Sequence, residues 1–320
     1  MSLLNRACAA AMAAVLATAL AAPAAALDRL TIMAPAAPGG GWDSTARSMQ
    51  EVLQAAGIVK SVQVENVTGA GGTVGLAQFV RKKGDGTALM TTGLVMAGAI
   101  LTNKSPVGFG DVTPIARLTA EWQSIAVPVK SDIKTIKDLI DRLKANPGVV
   151  SWGGGSAGGA DHMTAGLFAR AIGVDPSKVN YVAHSGGGES LASILGGHVT
   201  IGINSASEFA ELVKAGQLRF IAVSSPERLP GIDAPTFKEL GIDLVFSNWR
   251  GVVAPPGLSE ADRKALAEAI DKMVKSPQWK AMLEKRGWLD AYMPQAEFEA
   301  FLKEERGRVE ATLRAVGLVK

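Results

Sequence analysis

The chain has 320 residues, 33 lysines and arginines against 30 acidic residues, a net charge of +3 and one cysteine. Its cations are scattered among acids rather than gathered into a stripe, which excludes nucleic acid as a partner because phosphate binding needs clustered cations. Aromatic residues make up only 5 % while there are 36 glycines, and so many glycines must serve turns and points of close backbone approach.

The chain opens on a segment that reads as a signal peptide over residues 1–26. Arg6 supplies the positive start, Ala9 to Ala22 is apolar, and Ala24-Ala25-Ala26 is a small-x-small cleavage site. The apolar stretch is short for a membrane span, which needs about 20 residues, and no later run is long enough either. The expectation is export to the periplasm. Cys8 lies before the apolar stretch, so the exported part carries no thiol; disulfides, thiolate metal sites and cysteine nucleophiles are excluded together. A remainder of this size divides into two domains and needs no staples.

From Asp28 onward short β runs alternate with amphipathic helical stretches, which predicts α/β layers with mainly parallel sheets. Strands are expected at 30–34, 61–66, 87–91, 125–128, 149–152, 179–182, 199–203, 220–223, 244–246 and 251–254. In the first helix Ala46, Met49, Leu53 and Ala56 share one face and Gly57 marks the stop. Asp43, Asp161 and Ser259 occupy expected N-cap positions, and Thr135/Asp138, Thr236/Glu239 and Ser259/Asp262 have capping-box spacing. After Ser259 only helices are expected, the last over 295–316, covering one lobe. The extended runs 118–128 and 247–255 are the candidate crossings between domains.

Four loops share one design, a β run ending in glycines and then opening a helix: Pro38-Gly39-Gly40-Gly41-Trp42-Asp43, Thr68 to Thr73 with Gly71 at its centre, Gly153 to Asp161, and Ser185-Gly186-Gly187-Gly188-Glu189. Each offers free backbone amides at a helix N-terminus, an anion site that needs no cationic side chain. Together they suit a carboxylate. Thr68, Thr92, Ser156, Ser185, Asn204 and Ser205 stand at or beside strand ends, where hydroxyls and an amide can bond carboxylate oxygens directly or through water. Trp42 and Trp249 are placed to wall a cleft. Asp43 reads as a helix cap, since a carboxylate facing a carboxylate repels. The charges of Arg47, Glu121, Glu208 and Arg250 read as surface groups.

Other chemistry fits less well. Gly153, Gly155 and Gly158 match the dinucleotide fingerprint, but no acid follows about 20 residues on to hold a ribose. Gly154-Gly155-Ser156-Ala157-Gly158 is a nucleophile-elbow pattern, so a secreted serine esterase using Ser156 is the alternative function. A triad requires a later acid and then a histidine, and the three histidines, His162, His184 and His198, are not so placed. No metal site or cofactor is expected, since no histidine pair has the helical i, i+4 spacing.

The ordered set 34–43, 66–72, 153–162, 186–189 with 195–199, Ser225 to Pro230, and Arg250-Gly251 before Ala254-Pro255-Pro256-Gly257 resembles the substrate-binding proteins of tripartite tricarboxylate transporters, the Bug family of periplasmic receptors. The resemblance implies an α/β two-lobed periplasmic-binding-protein fold of type II, with two crossings between the lobes. Lobe 1 would be 27–122 plus 250–320, and lobe 2 would be 123–249. It implies a monomeric, non-enzymatic receptor that holds a small di- or tricarboxylate, citrate-like by the Gly-Gly-Gly-Trp-Asp form of its first loop, and delivers it to two integral membrane subunits. Carried onto this chain, the ligand loops are Pro38 to Asp43 and Ser156, Ala157, Gly158, Gly159 to His162, completed by Thr68, Thr92, Ser185 and Ser205.

Overall fold

The computed structural model describes residues 27–320, and the expected signal peptide lies outside the described residues. The first half runs β1 (Leu27–Ala34), α1 (Gly41–Ala55), β2 (Val59–Asn66), α2 (Thr73–Phe79), β3 (Ala88–Gly93), α3 (Leu94–Thr102) and the 16-residue β4 (Thr113–Pro128). A second block follows: α4 (Ile136–Ala145), β5 (Ser151–Gly154), α5 (Ala160–Ala171), β6 (Asn180–Ala183), α6 (Gly187–Leu195), β7 (Ile201–Ser205), α7 (Ala206–Lys214) and β8 (Leu218–Val223). The chain then returns through β9 (Ser247–Ala254) to α8 (Glu260–Lys275), α9 (Pro277–Arg286), β10 (Leu289–Met293) and α10 (Gln295–Ala315).

The strands lie in the order β2-β1-β3-β9-β4-β7-β5-β6, with β8 and β10 also paired to β4. β4 changes partners along its length. Up to Trp122, opposite Ser247, it pairs with β9; from Gln123, opposite Ser205, it pairs with β7 and β8. One continuous strand therefore joins two layers.

Each layer buries apolar side chains on both faces, as a sheet wrapped by helices must. Below the first, Ala46, Met49 and Leu53 of α1 meet Leu266, Ile270 and Trp279. Above it, Trp42, Leu76, Phe79 and Met96 close a second core. In the second layer Trp152, Phe168 and Phe237 form an aromatic chain with ring centroids 5.8 and 5.4 Å apart. Burying a ring such as Phe168 contributes about 1.5–3 kcal/mol.

Several expectations are corrected. The sheets are mixed, because β4 pairs antiparallel with every neighbour it has. Residues 244–246 are not strand, and β10 interrupts the expected all-helical tail. The last helix does not cover one layer alone: Leu313 and Phe298 of α10 share a core with Ala160 and Met163 of α5, and Val316 packs on Gly166. Thr236 and Glu239 exchange hydrogen bonds on a single turn without starting a helix. Ser259 and Thr135 do cap α8 and α4. Asp43 and Asp161 instead sit inside their helices, and each carboxylate reaches back to a loop amide, Gly39 N–H at 2.8 Å and Gly155 N–H at 2.8 Å. Among the described residues no helix is long and apolar enough to cross a membrane.

Candidate functional site

All four glycine loops open helices, and all four of those helices begin on glycine backbone without a side-chain cap, Gly72 preceding α2. Gly40 precedes α1, Gly159 precedes α5 and Gly186 precedes α6. By contrast α4, α8 and α9 are capped by Thr135, Ser259 and Ser276. An uncapped first turn leaves amide protons that some acceptor must satisfy.

The ends of α1, α2 and α6 converge on one cavity of about 310 Å³, which the loop before α5 reaches through Gly155, Ser156 and Ala157. Gly40, Gly41 and Trp42 form one wall and Ser185, Gly186 and Gly187 the opposite one. The walls nearly touch, since a Cβ on Gly186 would lie 3.8 Å from Gly40 Cα. Gly71 faces Ser156 in the same way, at 3.6 Å to its Cβ, and Ala157 and Asn204 complete the nine expected residues that line the cavity. At Gly72 φ is +89° and a Cβ would press on the Trp42 ring, so this turn needs glycine to let the tryptophan lie against it.

The other expected residues do not line the cavity. Pro38, Gly39 and Thr68 are exposed on the outer side of their turns. Asp43 is buried behind the first loop, held by Arg47 and Asn66. Burial opposes its charge, but the bonds from Arg47, Gly39 N–H and Asn66 outweigh it and keep the carboxyl below its usual range. Thr92 Oγ1 turns to Met96 Sδ, Gly158 and Gly159 are buried against α3, and Ser205 is enclosed at the start of α7. His162 stacks on Tyr181 with centroids 4.0 Å apart, and Trp249 donates to Glu305 in the interior.

What the sequence reading missed is a charged floor. Arg250, 5 % exposed, pairs with the buried Glu121 and reaches Glu208 at 3.5 Å. Arg250 and Glu121 are corrected from surface charges to buried ones because β9 and β4 carry them inward, beside the cavity, and Glu208 of α7 is half-buried there. Glu208 also accepts from Asn204 Nδ2 at 2.6 Å. Gly41 and Gly187 leave the room this cluster occupies: a Cβ on either would overlap Arg250 or Glu208. Asp161 and Asn248 line the same floor, and His184 stands at its edge. Burial, with repulsion from Glu121 as the largest charge effect, raises Glu208 to about 7 against the pull of Arg250 and Asn204. Burial likewise raises Asp161 to about 7 despite its bond from Gly155. The one available signal was Arg250 set in the apolar run Gly251 to Ala254, where a charge needs a partner.

Among the described residues no group of acids and histidines is arranged to hold a metal ion. Ser156 has no hydrogen bond to a histidine. Burial lowers His162 to about 4, its Nδ1 accepts from Gly158 N–H, and His184 Nδ1 lies 2.9 Å from the Gly154 carbonyl.

Comparison with known proteins places this geometry. Residues 45–318 match the family model described as the tripartite tricarboxylate transporter family receptor. The UPF0065 protein in the gbd 5′ region of Cupriavidus necator is 30 % identical over 81 % of this chain and 79 % of its own length. A solved structure of a periplasmic transporter is 25 % identical, covers 91 % of this chain and 98 % of its own, and superposes with a TM-score of 0.81. MatC from Rhodopseudomonas palustris, solved with bound malate, is 23 % identical over 89 % of this chain and 99 % of its own, with a TM-score of 0.79. The expected α/β two-lobed periplasmic-binding-protein fold of type II, with β4 and β9 as its crossings, is the fold observed.

Proposed function

The chain belongs to the tripartite tricarboxylate transporter receptor family, and we propose that it binds a small di- or tricarboxylate, citrate-like, in the periplasm after export and delivers it to two membrane subunits. The observation that carries this reading is the pair of uncapped helix N-termini, α1 and α6, which meet at the cavity and both line it. A carboxylate in the cavity beside them accepts hydrogen bonds from both first turns and lies at the positive end of both helix dipoles. The malate held by MatC, a neighbour of the same fold, is an acid of this class. Binding is favoured over ester hydrolysis at Ser156 because neither nearby histidine is hydrogen-bonded to it as a base.

A thermal-shift screen of small organic acids tests the reading. A ligand at a hundredfold excess over its Kd stabilises the folded state by about 2.7 kcal/mol. If no di- or tricarboxylate raises the midpoint, the assignment falls.

The proposal divides the chain into lobes 27–122 plus 250–320 and 123–249, hinged near Trp122, where β4 changes partners. The monomer would close over the ligand, with α3 meeting the 156–159 loop. Gly98 of α3 lies so near the Gly158 carbonyl that a Cβ there would overlap it. Gly98→Ala is expected to prop the lobes apart. Overpacking of about 1–3 kcal/mol in the closed state corresponds to about 5- to 150-fold weaker binding, with an increased radius of gyration of the liganded protein in small-angle scattering.

A further inference from the structure

Resting on the receptor reading, we propose that Glu208, Asp161 and Asn248 form an acceptor face that selects a carboxylate bearing a hydroxyl group over the same acid without one.

The cavity has two chemistries. Its walls are amide donors, suited to carboxylate oxygens, whereas its floor is rich in acceptors. Asn248 is 93 % enclosed, lines the cavity, and its Oδ1 has no hydrogen-bond partner. Asp161 is 8 % exposed; one oxygen accepts from Gly155 N–H and the other has no hydrogen bond among the described residues. Glu208 accepts from Asn204 through Oε2, and its Oε1 stands 3.5 Å from Arg250 Nη2, beyond a close ion pair.

A ligand offering only carboxylates would leave these acceptors unsatisfied and set its own charge against theirs. Unsatisfied buried acceptors are costly, so a site that holds them discriminates against a ligand lacking the donor. A hydroxyl fits better than an ammonium. It both donates and accepts a hydrogen bond, matching a floor where acid, amide and guanidinium stand together, and an ammonium would be placed beside Arg250.

The test is calorimetric titration of the receptor with two pairs differing by one hydroxyl, malate with succinate and citrate with tricarballylate, and with aspartate. In whichever pair binds, the hydroxy acid is expected to bind at least about tenfold tighter, the scale of a hydrogen bond to a charged group. In Glu208→Gln and, separately, Asp161→Asn, each checked for an intact cooperative melt, the ratio is expected to fall to about threefold or less. Wild-type ratios within about threefold overturn the proposal while leaving a carboxylate receptor standing. Aspartate binding tighter than malate overturns it in favour of an ammonium. If none of the five acids binds, the receptor reading falls and this one with it.

Discussion

Replacing Arg250 by methionine is expected to destabilise the protein by about 3–5 kcal/mol, the cost of leaving a buried charge unpaired. Arg250 is 5 % exposed, its guanidinium pairs with Glu121, which is 2 % exposed, and it lies 5.8 Å from the Trp288 ring. Methionine keeps much of the volume and removes the charge. Among the described residues Glu121 would then hold only the hydroxyl of Ser207, and Glu208 would lose the one cation paired with it. Urea denaturation at pH 8 measures the loss. Glu208 escapes its unpaired state by taking a proton, so the deficit should shrink as pH falls. Adding Glu121→Gln should recover part of it at pH 8. A loss below about 1 kcal/mol, the scale of an exposed pair, would show that the floor is hydrated and the burial argument wrong.

This cluster also marks where sequence reasoning stopped. The α1 stripe, the Gly57 stop and the caps at Thr135 and Ser259 are local, and local chemistry is legible: Ala46, Met49 and Leu53 are fully buried as their spacing requires. The glycine loops were legible for the same reason, since each is a strand end followed by a helix start. The floor is not local. Glu121, Glu208 and Arg250 come from three elements far apart in sequence, and only the pairing of β4 with β9 brings Glu121 opposite Asn248 and Arg250 within reach of both acids. Strand length failed likewise. β4 spans 16 residues because its two ends pair with different strands, a long-range pairing that the local pattern does not show. β10 is a short, half-exposed strand on β4, too brief to show alternation.

Asp161→Asn is expected to stabilise the ligand-free protein at pH 8 by about 2–4 kcal/mol. The carboxyl titrates at about 7 in the fold against 3.8 as a free side chain, and each unit of difference is about 1.4 kcal/mol. Between those values the native state keeps a proton that the unfolded chain has lost, so stability falls as pH rises from about 4 to 7. Asparagine removes that fall and can still accept from Gly155 N–H through its amide oxygen. His162 acts in the opposite sense: at about 4 in the fold against 6.5 free, it lets the unfolded chain bind the extra proton, so stability rises with pH over 4 to 6.5. Denaturation curves at pH 4, 6 and 8 should therefore show the variant and the wild type nearly equal at pH 4 and well apart at pH 8. A variant no more stable than wild type at pH 8 would mean that Asp161 is solvated and titrates normally. A gain in stability together with a lost preference for the hydroxy acid identifies a carboxylate kept for its ligand, because one kept for the fold would forfeit stability on replacement.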